Sequence, residues 1–219
     1  MAEYLIQGET LTGIADAIRG KTGGTDPVAV SDMAGKIAEI KAGGGNIDAL
    51  IDRSITEISS SYAKTIGNSA FQGCSNLTTV DFPAVTSIGG YAFQGCSSLI
   101  TVDFPVATSI GTYAFYSCSN LTTVDFPAVT SIESSAFRTC SSLKSLLLRG
   151  NKVCTLAKNV FISTPISSGT GYIYVPSSLI EQYKAKTNWS TYSAQFRALE
   201  DYTVDGTITG ELDPAKTGT

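Results

Sequence analysis

Apolar residues recur through the middle of the chain with a period of 22. Phe71, Phe93, Phe115 and Phe137 keep that spacing, as do Cys74, Cys96, Cys118 and Cys140, Leu77, Leu99, Leu121 and Leu143, and Ile66, Ile88, Ile110 and Ile132. A period in this range predicts a solenoid, in which each repeat buries its apolar edge only against its neighbours. Within 77–82, Leu77, Val80 and Phe82 are apolar while Thr79 and Asp81 are polar, which is the alternation of a strand with Thr79 and Asp81 turned outward. Equivalent strands stacked about 4.8 Å apart make a parallel sheet along one face. Pro83, Pro105 and Pro127 close the strands, because proline has no N–H to extend a ladder. Ala84 to Ile88 predicts a second, shorter wall, after which Gly89 or Gly111 turns the chain toward Ala-Phe.

The pattern loosens at both ends, as terminal turns of a solenoid should. Upstream, Ile55, Ile58 and Ile66 keep the spacing while Ser60 and Ser61 replace Phe and Pro; downstream, Leu146, Leu147 and Leu148 replace Val-Asp-Phe, and Phe161 follows Phe137 by 24 residues. Cys154 stands where a repeat isoleucine is expected. Tyr172 to Pro176 reads as a final strand, followed by a helix opened by a capping box of Ser178 and Glu181. Leu179, Ile180, Tyr183, Trp189, Tyr192 and Phe196 would cover the open apolar end of the stack, which makes Trp189 a core residue. At the N-terminus Leu11, Ile14, Ala15 and Ile18, then Met33, Ile37 and Ile40, mark two short helices, and Gly43, Gly44 and Gly45 form a hinge. Helices this short need a docking partner. The expected organisation is therefore 1–45 as a helical attachment segment, 46–65 as linker and degenerate capping repeat, 66–153 as the repeats, 154–200 as cap and 201–219 as a polar tail.

The Ile-Gly-x-x-Ala-Phe-x-x-Cys-x-x-Leu-x-x-Val-x-Phe-Pro pattern, over residues 55 to 200, resembles the BspA-like leucine-rich repeats of bacterial surface proteins and of many phage and prophage proteins. The resemblance implies an α/β solenoid, a right-handed leucine-rich-repeat-like coil with a parallel β-sheet, a small helical N-terminal segment and a C-terminal strand–helix cap. It also implies binding or adhesion rather than a particular ligand. The segment from Gly8 to Gly23 is similar to the short leader of phage and prophage structural proteins, which implies attachment to a tail.

Composition narrows the chemistry. With 42% hydrophobic and 16% charged residues and a net charge of −4, the chain is globular and a poor match for nucleic acid or an anionic membrane. It contains no histidine, which removes Ser-His-Asp and Cys-His nucleophiles, and its five cysteines include no Cys-x-x-Cys pair, so neither enzymatic activity nor a cofactor or metal is expected. The start of the chain lacks the basic and apolar regions of a signal peptide, and no stretch is apolar enough to span a bilayer.

Three ladders remain as candidate contact groups, each with a structural alternative. Asp81, Asp103 and Asp125 form an outward stripe of like charges, either solvated or bridged by a cation such as calcium. Thr79, Thr101 and Thr123 flank it and either offer hydroxyls to a glycan or protein or simply suit a strand. Tyr91, Tyr113 and Tyr116 sit beside the Ala-Phe turns, as contact residues or as half-buried packing between turns. The repeat cysteines read as a ladder of buried thiols, although the stacking distance alone also admits a disulfide.

The function expected from all this is a non-enzymatic phage or prophage tail-associated or virion surface protein that presents its repeat surface to a receptor. The alternative is a bacterial surface adhesin or protein-interaction module of the same repeat type. Expected partners are a protein or glycan on a host surface, virion proteins through the N-terminal segment, and a second copy of the chain; nucleic acid and membrane insertion are not expected. The corresponding location is the virion tail or particle surface, or else a bacterial surface reached without a visible signal peptide.

Overall fold

The computed structural model describes residues 53–203, which form a parallel β-solenoid closed at its C-terminal end by a small mixed cap. The helices expected around Leu11 to Ile18 and Met33 to Ile40, the glycine hinge and the tail from Val204 onward lie outside the described residues.

One wall carries the longer strands: β1 (Glu57–Ser59), β3 (Thr79–Asp81), β5 (Thr101–Asp103), β7 (Thr123–Phe126), β9 (Ser145–Leu148), β11 (Tyr172–Val175) and β12 (Phe196–Ala198). The other carries two-residue strands: β2 (Thr65–Ile66), β4 (Ser87–Ile88), β6 (Ser109–Ile110), β8 (Ser131–Ile132) and β10 (Thr155–Leu156). All pairings are parallel, and from β1 to β9 the register is the sequence period itself, Ile66 opposite Ile88, Ile88 opposite Ile110 and Val102 opposite Val124. The first wall is divided, with β1–β3 as one ladder and β5 to β12 as another. The lapse falls where Ile100, 53% exposed, replaces the threonine whose hydroxyl elsewhere reaches back to the preceding repeat, as in Thr78 Oγ1 to Thr56 O and Thr122 Oγ1 to Ile100 O.

The interior is made of columns. Phe71, Phe93, Phe115 and Phe137 stack with ring centroids 5.2 Å apart, and Phe161 continues the column at 6.0 Å. Phe82, Phe104 and Phe126 form a second column at 6.4 Å spacing. Leu77, Leu99, Leu121, Leu143 and the isoleucine column are buried between them. The five cysteines are buried free thiols. Three of them donate S–H bonds to the carbonyl of the Phe in the preceding repeat: Cys96 to Phe71, Cys118 to Phe93 and Cys140 to Phe115, at 3.0–3.1 Å.

Three local expectations need correction or refinement. Gly89 and Gly111 stand where the chain turns toward Ala-Phe, as expected, but neither is left-handed. That conformation falls two residues on, at Ser69, Tyr91, Tyr113, Ser135 and Asn159, with φ between 57° and 64°. Glycine is required instead by close approach, since a Cβ on Gly111 would lie 2.6 Å from the Gly89 carbonyl carbon. Cys154 does not occupy the isoleucine column, because two extra residues precede β10 and bring Leu156 opposite Ile132. The capping box expected at Ser178 and Glu181 does not form, since Ser177–Leu179 is a 3-10 turn that runs directly into the helix α2 (Ile180–Ala185) without a side-chain cap, and Glu181 pairs with Lys184. A capping box does form at Thr164 and Ser167, opening the one-turn helix α1 (Pro165–Ser168). The cap itself is as expected: Leu179, Tyr183, Trp189 and Phe196 are buried, with Ile180 and Tyr192 packed against them.

Candidate functional site

Outward-facing residues of the sheet fall in two rows. One runs Asp103, Asp125, Leu147, Tyr174, Arg197 across β5, β7, β9, β11 and β12; the other runs Thr101, Thr123, Ser145, Tyr172. Asp81 and Thr79 lie on β3, alongside Ser59 and Glu57. As far as β9, parallel pairing in 22-residue register makes these rows from identical positions of successive repeats, because side chains two apart on a strand share a face; the cap strands β11 and β12 continue the rows outside that register.

Exposure falls along the rows. Thr79, Asp81, Thr101 and Asp103 are exposed, Thr123 and Asp125 are half-buried, and Leu147 and Tyr174 are buried although they occupy outward positions. The covering group is aromatic: Tyr202 packs edge-on against Tyr174 at 4.9 Å, and Tyr172 contacts Tyr174 at 6.5 Å. The Arg197 guanidinium lies 4.3 Å from the centre of the Tyr172 ring, a cation–π contact. The face expected to be open throughout is thus exposed over β3 and β5 and half-buried or buried from β7 onward.

The acidic ladder ends in an ion pair. Arg149 grips Asp125 with two nitrogens, Nε to Oδ1 at 2.9 Å and Nη2 to Oδ2 at 2.7 Å. Its pKa is raised, chiefly by the hydrogen bond to Asp125, against the opposing effect of burial and with help from the charges of Asp125 and Asp103. Repulsion among the stacked carboxylates is therefore relieved at one end by a side chain from the next repeat. Arg149 was not among the residues singled out from sequence, yet a signal existed: it stands at the proline column, 22 after Pro127, one repeat beyond the last aspartate. Among the described residues no group of three or more Cys, Asp or Glu side chains comes together to hold a metal ion.

Tyr91, Tyr113 and Tyr116 form a separate group on the turn edge. The rings of Tyr91 and Tyr113 stack at 5.1 Å and 16°, and Tyr116 meets Tyr113 edge-on at 5.5 Å. Tyr113 and Tyr116 are half-buried, whereas Tyr91 is 41% exposed. Beside them Gln72 Nε2 donates to Gln94 Oε1, and Asn68 Oδ1 accepts from the Gly90 N–H at 2.7 Å.

The thiols of Cys96, Cys118 and Cys154 are held protonated. Burial pushes those of Cys96 and Cys154 up to about 12 and that of Cys118 well above its ordinary value, so none is ionised at neutral pH. Charge is distributed unevenly: residues 53–137 carry two basic and five acidic side chains, whereas 138–203 carry eight basic and three acidic. No helix among the described residues is long and apolar enough to cross a membrane.

The family model described as "BspA type Leucine rich repeat region" matches six copies over residues 53–184, more than half of the chain. The chain belongs to this family. Its solved structural neighbours include a leucine rich cell surface protein from Faecalibacterium prausnitzii A2-165, at 28% identity and a TM-score of 0.38, covering 45% of this chain and 34% of that one. Another is the T. pallidum leucine rich repeat protein, at 23% identity and a TM-score of 0.36, covering 48% of this chain and 61% of that one. The chain thus spans about a third of the first neighbour's length and about three-fifths of the second's. No curated protein matches it.

Proposed function

We propose that this BspA-type repeat chain is a non-enzymatic interaction module, acting as an adhesin at a bacterial surface, and that it docks a protein bearing basic groups on the open part of its sheet. The observation that carries the reading is the exposure, in register, of Thr79 and Asp81 beside Thr101 and Asp103, with Glu57 also exposed on β1. Carboxylates held on adjacent rigid strands present fixed negative charge, and the flanking hydroxyls add donors and acceptors, a combination suited to lysine- or arginine-rich partners. The rest of the sheet face is occupied by its own Arg149 and tyrosines, which confines docking to the acidic end. The alternative reading, a tail-associated protein presenting this face to a receptor, draws on residues 1–45, and the repeat face serves either role.

The test is binding of the full chain to immobilised cell-surface proteins, read by interferometry at low and high salt. The double substitution Asp81→Asn/Asp103→Asn should weaken binding about tenfold, the loss expected of one interface hot spot, and flatten the salt dependence. Unchanged affinity in that variant would reject the sheet face as the docking surface.

A further inference from the structure

The turn edge holds a feature that neither the fold nor the sheet face accounts for. The position shared by Ser69, Tyr91, Tyr113, Ser135 and Asn159 is left-handed in every repeat, with φ between 57° and 64°. Small polar residues tolerate that region, and a tyrosine there is uncommon because its Cβ crowds the backbone. Two successive repeats nevertheless place tyrosine in it, and neither ring belongs to the buried core. A costly backbone choice that the core does not use points to a role at the surface.

The geometry of the column defines what that role is. Tyr113 covers one face of the Tyr91 ring. The other face looks toward the preceding repeat, where the column residue is the exposed Ser69, so a slot one rung deep is left above an aromatic floor. Its surroundings are amides and a hydroxyl. Asn68 uses its Oδ1 on Gly90, which leaves its amide hydrogens to donate; Gln72 donates to Gln94, which leaves Gln72 Oε1 to accept and the Gln94 amide to donate; Ser69 adds a group that does both.

We propose that this slot is a saccharide-binding site, in which the apolar C–H face of a pyranose ring stacks on Tyr91 while its hydroxyls bond to Asn68, Ser69, Gln72 and Gln94. A pyranose has the thickness of one rung, one apolar face and a rim of hydroxyls that need mixed donors and acceptors, and the slot supplies all three. An aromatic side chain from a partner protein would fit the floor but would leave the amide rim without a use. This site is independent of the acidic sheet face.

The experiment is an amide NMR titration of the full chain with cellotetraose, chitotetraose and tetragalacturonate. At least one of these pyranosides should shift the resonances of Ser69, Gly90 and Tyr91 progressively. Ser69→Tyr fills the slot with a ring in the backbone conformation that Tyr91 and Tyr113 already adopt, so it should keep the fold, checked by circular dichroism, and weaken binding by about tenfold or more. Tyr91→Ser should do the same by removing the floor, while Asp81→Asn/Asp103→Asn should bind as the parent does. The proposal is overturned by an absence of shifts at about 10 mM sugar, where a millimolar site is mostly filled. Binding that survives Ser69→Tyr overturns it equally, as does a slot that takes N-acetyl-tyrosinamide in preference to all three sugars.

Discussion

The repeats and the C-terminal cap bury aromatic rings in opposite ways. In the repeats, rings of one kind stack nearly parallel, with Phe93, Phe115 and Phe137 tilted by only 4–7° from one another. In the cap, Tyr183 meets Trp189 at 84° and Trp189 meets Phe196 at 60°. The cap is also tied by specific polar bonds to the last turn: Trp189 Nε1 to Cys154 O at 2.9 Å, the Cys154 N–H to Tyr183 Oη at 3.2 Å, and Asn188 Nδ2 to Leu156 O at 2.6 Å. The contrast reflects what each must match. A repeat faces a copy of itself and can use translation, whereas the cap must present an apolar face to the stack and a polar one to water, so it needs residues with both characters.

This comparison predicts that single residues matter most in the cap. Trp189→Ala should cost about 5 kcal/mol, because it removes a fully buried ring and orphans the Cys154 carbonyl. Urea unfolding should show it, and a loss no larger than that of a mid-stack phenylalanine would break the contrast. Within the stack, Phe115→Ala should cost about 3–5 kcal/mol, and Phe71→Ala, at the end of its column and 9% exposed, about 2–3 kcal/mol. Equal losses would mean that the repeats behave as one unit rather than as a chain of neighbouring interfaces.

A third test reaches both regions through their thiols. A thiol is neutral when protonated, and burial raises the folded-state pKa of Cys96 in the repeats and Cys154 under the cap to about 12, above the unfolded value of about 8.5. Their contribution to stability is complete below the unfolded pKa and is lost as pH rises toward about 12. Thermal unfolding should therefore be insensitive to these thiols from neutral pH to about 8 and fall at higher pH, less steeply in Cys96→Ala. A parent-like alkaline slope in that variant would assign the loss elsewhere. The smallest effect is expected at the turn where Thr139, at φ 63°, occupies the place that Gly73 and Gly95 hold in earlier repeats. Thr139→Gly should raise stability by about 0.5–1 kcal/mol, and a loss would show that the left-handed turn is held without strain.

Legibility in the sequence followed periodicity. The 22-residue spacing of Phe, Leu, Ile and Cys gave the columns, the parallel pairing and the outward direction of Thr79 and Asp81, since a repeated pattern fixes which positions meet. The two-residue insertion before β10 was visible only as the displacement of Phe161, so Cys154 was placed in the wrong column. The capping box at Ser178 and Glu181 had the right letters, but the 3-10 turn at Ser177–Leu179 left it no orphan N–H to serve. Of the candidate residues, Thr79, Asp81, Thr101 and Asp103 are exposed, and Asp125 is half-buried and paired with Arg149, which stands in the place of a repeat proline.

The sequence by itself determined the coil, its rung spacing and the composition of its interior, because every repeat meets an equivalent repeat and local pattern is then also tertiary contact. Only the tertiary structure decided how much of the sheet face stays open, since that depends on Arg149, Tyr174, Arg197 and Tyr202, residues that depart from the repeat pattern and cover it. It likewise decided that Tyr91 stays 41% exposed while stacked on Tyr113, with a serine, rather than a third ring, on the preceding rung.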